Sequence, residues 1–109
     1  MRTTITVRHC EVSEVLRERA VAVTARLAQL SPHALDATVV FGMDPAAHTA
    51  EIRLHARGRR ILVGQGKGTD HKSALDRAEA KLRGQLVKAG HARQQGRRSP
   101  AGRRPTRTT

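Results

Sequence analysis

Aromatic residues are almost absent from this chain of 109 residues, which has no tryptophan, no tyrosine and one phenylalanine, Phe41. Apolar residues still make up 38% of the sequence, so we expect one small domain with an aliphatic core. The single cysteine, Cys10, excludes an internal disulfide and favours a reducing cytoplasm. No apolar run is long enough to span a membrane, and the N-terminus lacks the pattern of a signal peptide.

Acidic residues are also few, and none follows Glu79. The 21 lysines and arginines outweigh 9 acids and give a formal net charge of +12, which is typical of a protein that binds a polyanion. Residues 91–109 contain arginines but no acid and almost nothing to bury. We therefore predict a folded domain over residues 1–90 and a basic C-terminal tail over 91–109 that is disordered in isolation.

Two segments have the apolar spacing of amphipathic helices. We expect Ser13 to cap the first helix, which ends before Pro32, and Asp70 to cap the second, which ends near Ala89 with Gly90 as its stop. The two apolar stripes consist of Leu16, Ala20, Val23, Leu27 and Leu30, and of Leu75, Ala78, Leu82, Leu86 and Ala89.

Four further segments, 2–8, 36–43, 48–57 and 60–67, are typical of strands. In the last of them we expect Ile61 and Val63 to face inward, and Gly64, Gly66 and Gly68 to form a flexible turn into the second helix. Because both helix stripes need the same core, the order β-α-β-β-β-α predicts an α+β fold. Its four-stranded sheet carries both helices on one face.

The second predicted helix carries a row of basic residues, Arg77, Lys81 and Lys88, which fall within about 40° of one another around the helix. Asp76 and Glu79 lie on other sides, so this row differs from a solvating face, which usually mixes charges of both signs. We predict that these and other basic residues contact nucleic-acid phosphates. The full candidate set is Arg19, Arg26, Arg57, Arg59, Arg60, Lys72, Arg77, Lys81, Arg83 and Lys88.

The sequence favours RNA over DNA as the polyanion. No helix-turn-helix, zinc-finger or basic-zipper pattern is present, and the aromatic residues that stack on bases in many RNA-binding domains are missing. These absences favour recognition of structured RNA through its shape and phosphates.

No set of residues predicts an enzyme, a metal site, a cofactor or a small-molecule substrate. The six histidines are not paired at zinc-ligand spacing. Cys10 next to His9 lacks a third orienting group, so we interpret it as a small buried residue at the end of a strand. The glycines at 64, 66 and 68 lack the Gly-Lys-Ser/Thr of a phosphate loop.

Three segments resemble the short ribosome hibernation-promoting factors, also called ribosome-associated inhibitors or sigma-54 modulation proteins. Ile5-Thr6-Val7-Arg8-His9 before Glu11-Val12-Ser13 is similar to the family's first strand and helix start. The segments 70–76 (Asp-His-Lys-Ser-Ala-Leu-Asp) and 81–88 (Lys-Leu-Arg-Gly-Gln-Leu-Val-Lys) resemble its second helix. The resemblance covers about residues 1–92. The chain departs from the family where a tyrosine is replaced by Lys72 and an arginine by Gly84.

The resemblance implies a double-stranded-RNA-binding-like fold and a stress or stationary-phase factor. Such a factor docks on the small ribosomal subunit, over the tRNA and mRNA sites, and blocks translation by occupancy. Lys81 and Lys88 stand where the family has basic residues that face ribosomal RNA. We expect the free protein to be a monomer. Two alternatives stay open: a DNA- or polymerase-associated transcription modulator, and an accessory domain of an RNA-modifying enzyme.

Overall fold

The computed structural model describes residues 2–98, with side chains described through residue 88. Its six elements follow one another in the predicted β-α-β-β-β-α order. Their bounds are β1 Arg2–Val7, α1 Glu14–Gln29, β2 Ala34–Met43, β3 His48–Ala56, β4 Arg60–Gly68 and α2 His71–Arg98.

The strands form one four-stranded sheet in the order β1-β2-β3-β4. β1 is parallel to β2, while β3 is antiparallel to both of its neighbours. A parallel pair needs a long crossover connection, which α1 supplies. The strand limits differ by one or two residues from the predicted ones. The largest difference is at β2, which begins at Ala34 with an irregularity in pairing that leaves Leu35 exposed.

Both helices pack on the same face of the sheet, as their apolar stripes predict. The core centres on the side chains of Phe41, Leu27 and Leu82, all fully buried. The remaining buried apolar residues of this cluster are Ala20, Val23, Ala37, Val39, Ala50, Ile52, Leu54, Ala74, Leu75, Ala78 and Leu86. Apart from Phe41 the core is aliphatic, as the shortage of aromatics predicts, and it fixes which sides of α1 and α2 face solvent.

Both predicted helix caps are present. The Ser13 hydroxyl accepts a hydrogen bond from the Leu16 N–H at 3.1 Å, and an Asp70 carboxylate oxygen accepts one from the Ser73 N–H at 2.7 Å. The bond from Ser73 lowers the pKa of Asp70, because it favours the charged carboxylate. These caps satisfy N–H groups that have no partner within their helices.

The prediction of which β4 side chains face the core is wrong. Leu62 pairs with buried Leu54 and lies on the core side, whereas the side chain of Ile61 is 55% exposed on the other face. The glycines do not form a flexible turn, because Gly64 and Gly66 lie inside β4 and face α2. A Cβ on Gly64 would stand 2.5 Å from the backbone oxygen of Ala78. After Leu62, the inward positions of β4 are therefore glycine because α2 packs directly on the strand backbone.

The predicted end of α2 is also wrong. The helix continues past Ala89 and Gly90 to Arg98. A glycine inside a helix costs about 1 kcal/mol relative to alanine, which is too little to end a helix rich in alanine, leucine, lysine, arginine and glutamine. The boundary placed at residue 90 therefore falls within α2. Residues 99–109 of the predicted tail lie outside the described residues, and the division into domain and tail stays a prediction.

Candidate RNA-binding surface

The predicted basic row lies on the solvent side of α2, next to β4. Arg77, Lys81 and Lys88 are all exposed, while Ala78 and Leu82 on the core side of the helix are fully buried. Packing of the core stripe on β4 fixes the rotation of the helix about its axis. The row is therefore held at the outer edge of the sheet, since β4 is the last strand in the order β1-β2-β3-β4 formed by residues 2–98.

Side chains of α2 cover part of that edge. An Arg77 N–H donates to the backbone oxygen of Lys67 at 2.5 Å, and the Gln85 amide donates to that of Val63 at 2.8 Å. These contacts satisfy carbonyls that a neighbouring strand would otherwise take. They also hold Arg77 beside Lys67, so a backbone contact orients one member of the basic row.

Lys67 extends the basic row onto the sheet and is not among the candidates predicted from sequence. Its side chain is 70% exposed, and its Nζ lies 3.2 Å from an Asp44 carboxylate oxygen. A shallow groove between β4 and α2 is lined by Lys67, Arg77 and Lys81, together with Gln65, Gly66 and Ala80. The strand pattern of β4 could have indicated Lys67, since it alternates with the buried glycines. We call Lys67, Arg77, Lys81 and Lys88 the α2–β4 surface.

The three hairpin arginines lie near the other end of β4. Arg57, Arg59 and Arg60 are exposed around a turn in which Gly58 and Arg59 have φ angles of 78° and 63°. Arg57 and Arg60 line a hollow together with Leu86 of α2. This contact places the hairpin beside the second half of α2, the half that carries Lys88.

The other four candidates lie at the contact between α1 and α2, and each is paired with an acid. Arg19 and Lys72 lie 2.9 and 3.4 Å from the two Asp76 carboxylate oxygens. We call the set of Arg19, Arg26, Lys72 and Arg83 with Asp76 and Glu79 the interhelix cluster. Arg26 and Arg83 approach Glu79 in the same way, at 3.2 and 2.8 Å. The structure thus divides the predicted basic residues into three groups, the row on α2, the hairpin arginines and the interhelix cluster, and every basic residue of the cluster is paired with an acid.

The electrostatic effect of this pairing is visible at Asp76. Burial alone would raise the pKa of its carboxyl, but hydrogen bonds from Arg19 and Lys72 outweigh burial and lower the pKa below its usual 3.8. In the α2–β4 surface, by contrast, Arg77 contacts a backbone oxygen, and neither Lys81 nor Lys88 has a carboxylate within 4.0 Å among the described residues. That surface therefore keeps most of its positive charge.

Outside these basic residues, Cys10 and His71 make structural contacts. Cys10 is half-buried and packs against the core, with its Sγ 3.8 Å from the Nε2 of His71. The same His71 nitrogen donates to the backbone oxygen of Gly42 at 2.8 Å. No three His, Cys, Asp or Glu side chains in the described part of the chain are arranged to hold a metal ion. None of the helices described is long and apolar enough to cross a membrane.

Comparison with known proteins gives a family match over most of the chain. The model of the family described as Sigma 54 modulation protein / S30EA ribosomal protein matches residues 3–94. The ribosome hibernation promoting factors of Escherichia coli K12 and Shigella flexneri are each 33% identical over 88 residues, covering 81% of this chain and 92% of theirs.

Two solved structures share the fold. A ribosomal subunit interface protein from Coxiella burnetii superposes with a TM-score of 0.75 at 19% identity, covering 84% of this chain and 99% of that one. The N-terminal domain of Thermus thermophilus Protein Y superposes with a TM-score of 0.68 at 24% identity, covering 79% and 94%. The likeness to double-stranded-RNA-binding domains stays a prediction.

Proposed function

This chain belongs to the Sigma 54 modulation protein / S30EA ribosomal protein family of ribosome hibernation factors, and we propose that it binds the small ribosomal subunit and blocks translation there. Its relatives are named for ribosome hibernation and for the ribosomal subunit interface. The partner we propose is ribosomal RNA, contacted through its phosphates in the cytoplasm under stress or in stationary phase.

The α2–β4 surface is the observation that carries this proposal. Its four cations lie along one edge of the molecule, on a helix and a strand that pack against the core. Lys81 and Lys88 have no carboxylate partner among the described residues, so a phosphate would meet charge that is not already neutralised. Contacts of this kind provide affinity and position without reading the bases.

The proposed mechanism is occupancy. A protein of this size that lies over the tRNA and mRNA sites excludes those ligands without any chemical step, so no catalytic residue or cofactor is required. Because each neutralised phosphate releases a counterion, binding should weaken steeply as salt increases.

Sucrose-gradient cosedimentation with purified ribosomes and separated subunits tests the proposal. The chain should move with the small subunit and the whole ribosome at physiological salt, even when duplex DNA is added as a competitor. Addition of the chain should also inhibit translation in a purified system. Release by DNA at modest salt would instead favour the alternative, a DNA- or polymerase-associated transcription modulator.

A further inference from the structure

Within the interhelix cluster, two guanidinium groups converge on one carboxylate. Arg26 of α1 donates to both Glu79 oxygens at 3.2 Å each, and Arg83 of α2 donates to Oε2 of the same side chain at 2.8 Å. The Glu79 side chain is only 12% exposed, whereas those of Arg26 and Arg83 are 49% and 47% exposed. The acid is therefore largely covered, and the arginines extend from it into solvent.

This arrangement leaves donor groups available on the solvent side. A guanidinium has five N–H donors in a fixed plane, and the contacts to Glu79 use only part of those of Arg26 and Arg83. Because both groups donate to Oε2 of Glu79, they lie close enough for their remaining N–H groups to reach the oxygens of one phosphate. A flexible arginine loses side-chain entropy when it binds, and an arginine that is already held loses less.

We propose that Arg26 and Arg83 form a second phosphate-binding site for ribosomal RNA, and that Glu79 is its positioning residue. The inference rests on the proposed function and adds a contact that is separate from the α2–β4 surface. Positions 81 and 83 lie about 160° apart around α2, so an RNA that contacts both surfaces lies across the exposed side of that helix.

Replacement of Glu79 tests the proposal, because a positioning role and a simple effect of net charge predict opposite changes in ribosome-binding affinity. Glu79→Gln removes a negative charge and should strengthen binding to RNA if only net charge matters. If Glu79 positions the two arginines, the same change should weaken ribosome binding about threefold to tenfold. The matched control is Glu14→Gln, which makes the same charge change at an exposed carboxylate in the first turn of α1. We expect it to leave binding unchanged or slightly tighter.

The salt dependence of binding provides a second readout. A purely structural role of Arg26 and Arg83 would not produce the following changes in slope. If Arg26 and Arg83 share one phosphate, the double variant Arg26→Gln/Arg83→Gln should lower the slope of log K against log salt by about one in total, with each single variant lowering it by no more than that. Two independent phosphate contacts would instead give additive changes in slope. Because these variants keep Glu79, they remain informative if a thermal melt shows that Glu79→Gln is unfolded.

The outcomes distinguish this inference from the function on which it rests. If the wild-type chain sediments with ribosomes and folded Glu79→Gln binds as tightly or more tightly, the second site is rejected and the proposed function stands. Additive slopes for the arginine variants reject the shared phosphate as well. If the wild-type chain does not sediment with ribosomes, the proposed function fails and this inference fails with it.

Discussion

Gly64 and Gly84 are both glycines, but the structure predicts opposite effects when each is replaced by alanine. A Cβ on Gly64 would lie 2.5 Å from the Ala78 backbone oxygen, 2.9 Å from the Leu82 Cβ and 3.0 Å from the Leu82 backbone nitrogen. A Cβ on Gly84 would meet no atom of the described side chains and backbone within 4 Å. The first glycine is therefore required by the approach of α2 to β4, and no contact requires the second.

The size of the effect follows from the displacement. Ordinary van der Waals contact begins at 3.4 Å, so α2 and β4 must separate by about 0.9 Å at the closest contact of Gly64→Ala, from 2.5 Å. A gap of that size forfeits about a quarter to a half of the dispersion energy of the atoms lining it. Overpacking of this kind costs about 1–3 kcal/mol. Because the obstacles are largely backbone, we expect a value near 2–3 kcal/mol, reduced slightly by the lower backbone entropy of alanine.

Thermal and urea unfolding followed by circular dichroism measures both changes. For a domain of this size, about 1 kcal/mol shifts the melting temperature by roughly 4–8 °C. Gly64→Ala should therefore melt about 10–20 °C lower, while Gly84→Ala should gain about 0.5–1 kcal/mol from helix propensity. A Gly64→Ala variant as stable as the wild type would refute the direct packing of α2 on the strand backbone. A destabilised Gly84→Ala would show that its position is not open to solvent.

Three further predictions concern a cap, a charge and a titration. Ser13→Ala should lower the free energy of unfolding by about 1 kcal/mol in urea melts, because the Leu16 N–H loses its partner; an unchanged midpoint would contradict the cap. Lys81→Gln should lower the salt slope of ribosome binding by about one, and an equal slope would mean that Lys81 contacts no phosphate. Because folding lowers the pKa of Asp76, its charged carboxylate stabilises the folded state at pH values above the usual pKa of 3.8. This contribution is lost as the pH falls through the folded-state pKa. Asp76→Asn should therefore flatten the pH dependence of stability below about pH 4, whereas parallel wild-type and variant curves would contradict the pairing.

The parts of the fold that follow from local spacing were predictable from sequence. Alternation in β3 and the stripe of α1 identify buried residues because each element has a fixed period. The facing of β4 was not predictable in this way. Its apolar residues Ile61 and Val63 point away from the core, and the inward positions after Leu62 are glycines because a helix from elsewhere in the chain packs on them. A hydrophobic pattern does not contain that tertiary requirement.

The candidate site shows the same limit. Helical spacing places Arg77, Lys81 and Lys88 in one row, which the structure retains. The pairing of Arg26 with Glu79 joins residues 53 positions apart, so no local pattern indicates it. The end of α2 was missed for a different reason, since Gly90 is a common stop signal but does not force a helix to end.

The most direct test is to reverse charge on the α2–β4 surface and measure ribosome binding. The variant Lys81→Glu/Lys88→Glu should be compared in sucrose gradients with Arg2→Glu/Arg17→Glu, which changes the net charge equally on β1 and on α1. We expect the first variant to be absent from the small-subunit fraction at physiological salt. The second variant should retain most of its binding, and both should remain folded. If Lys81→Glu/Lys88→Glu still sediments with the small subunit, or if both variants are released equally, the α2–β4 surface does not bind ribosomal RNA.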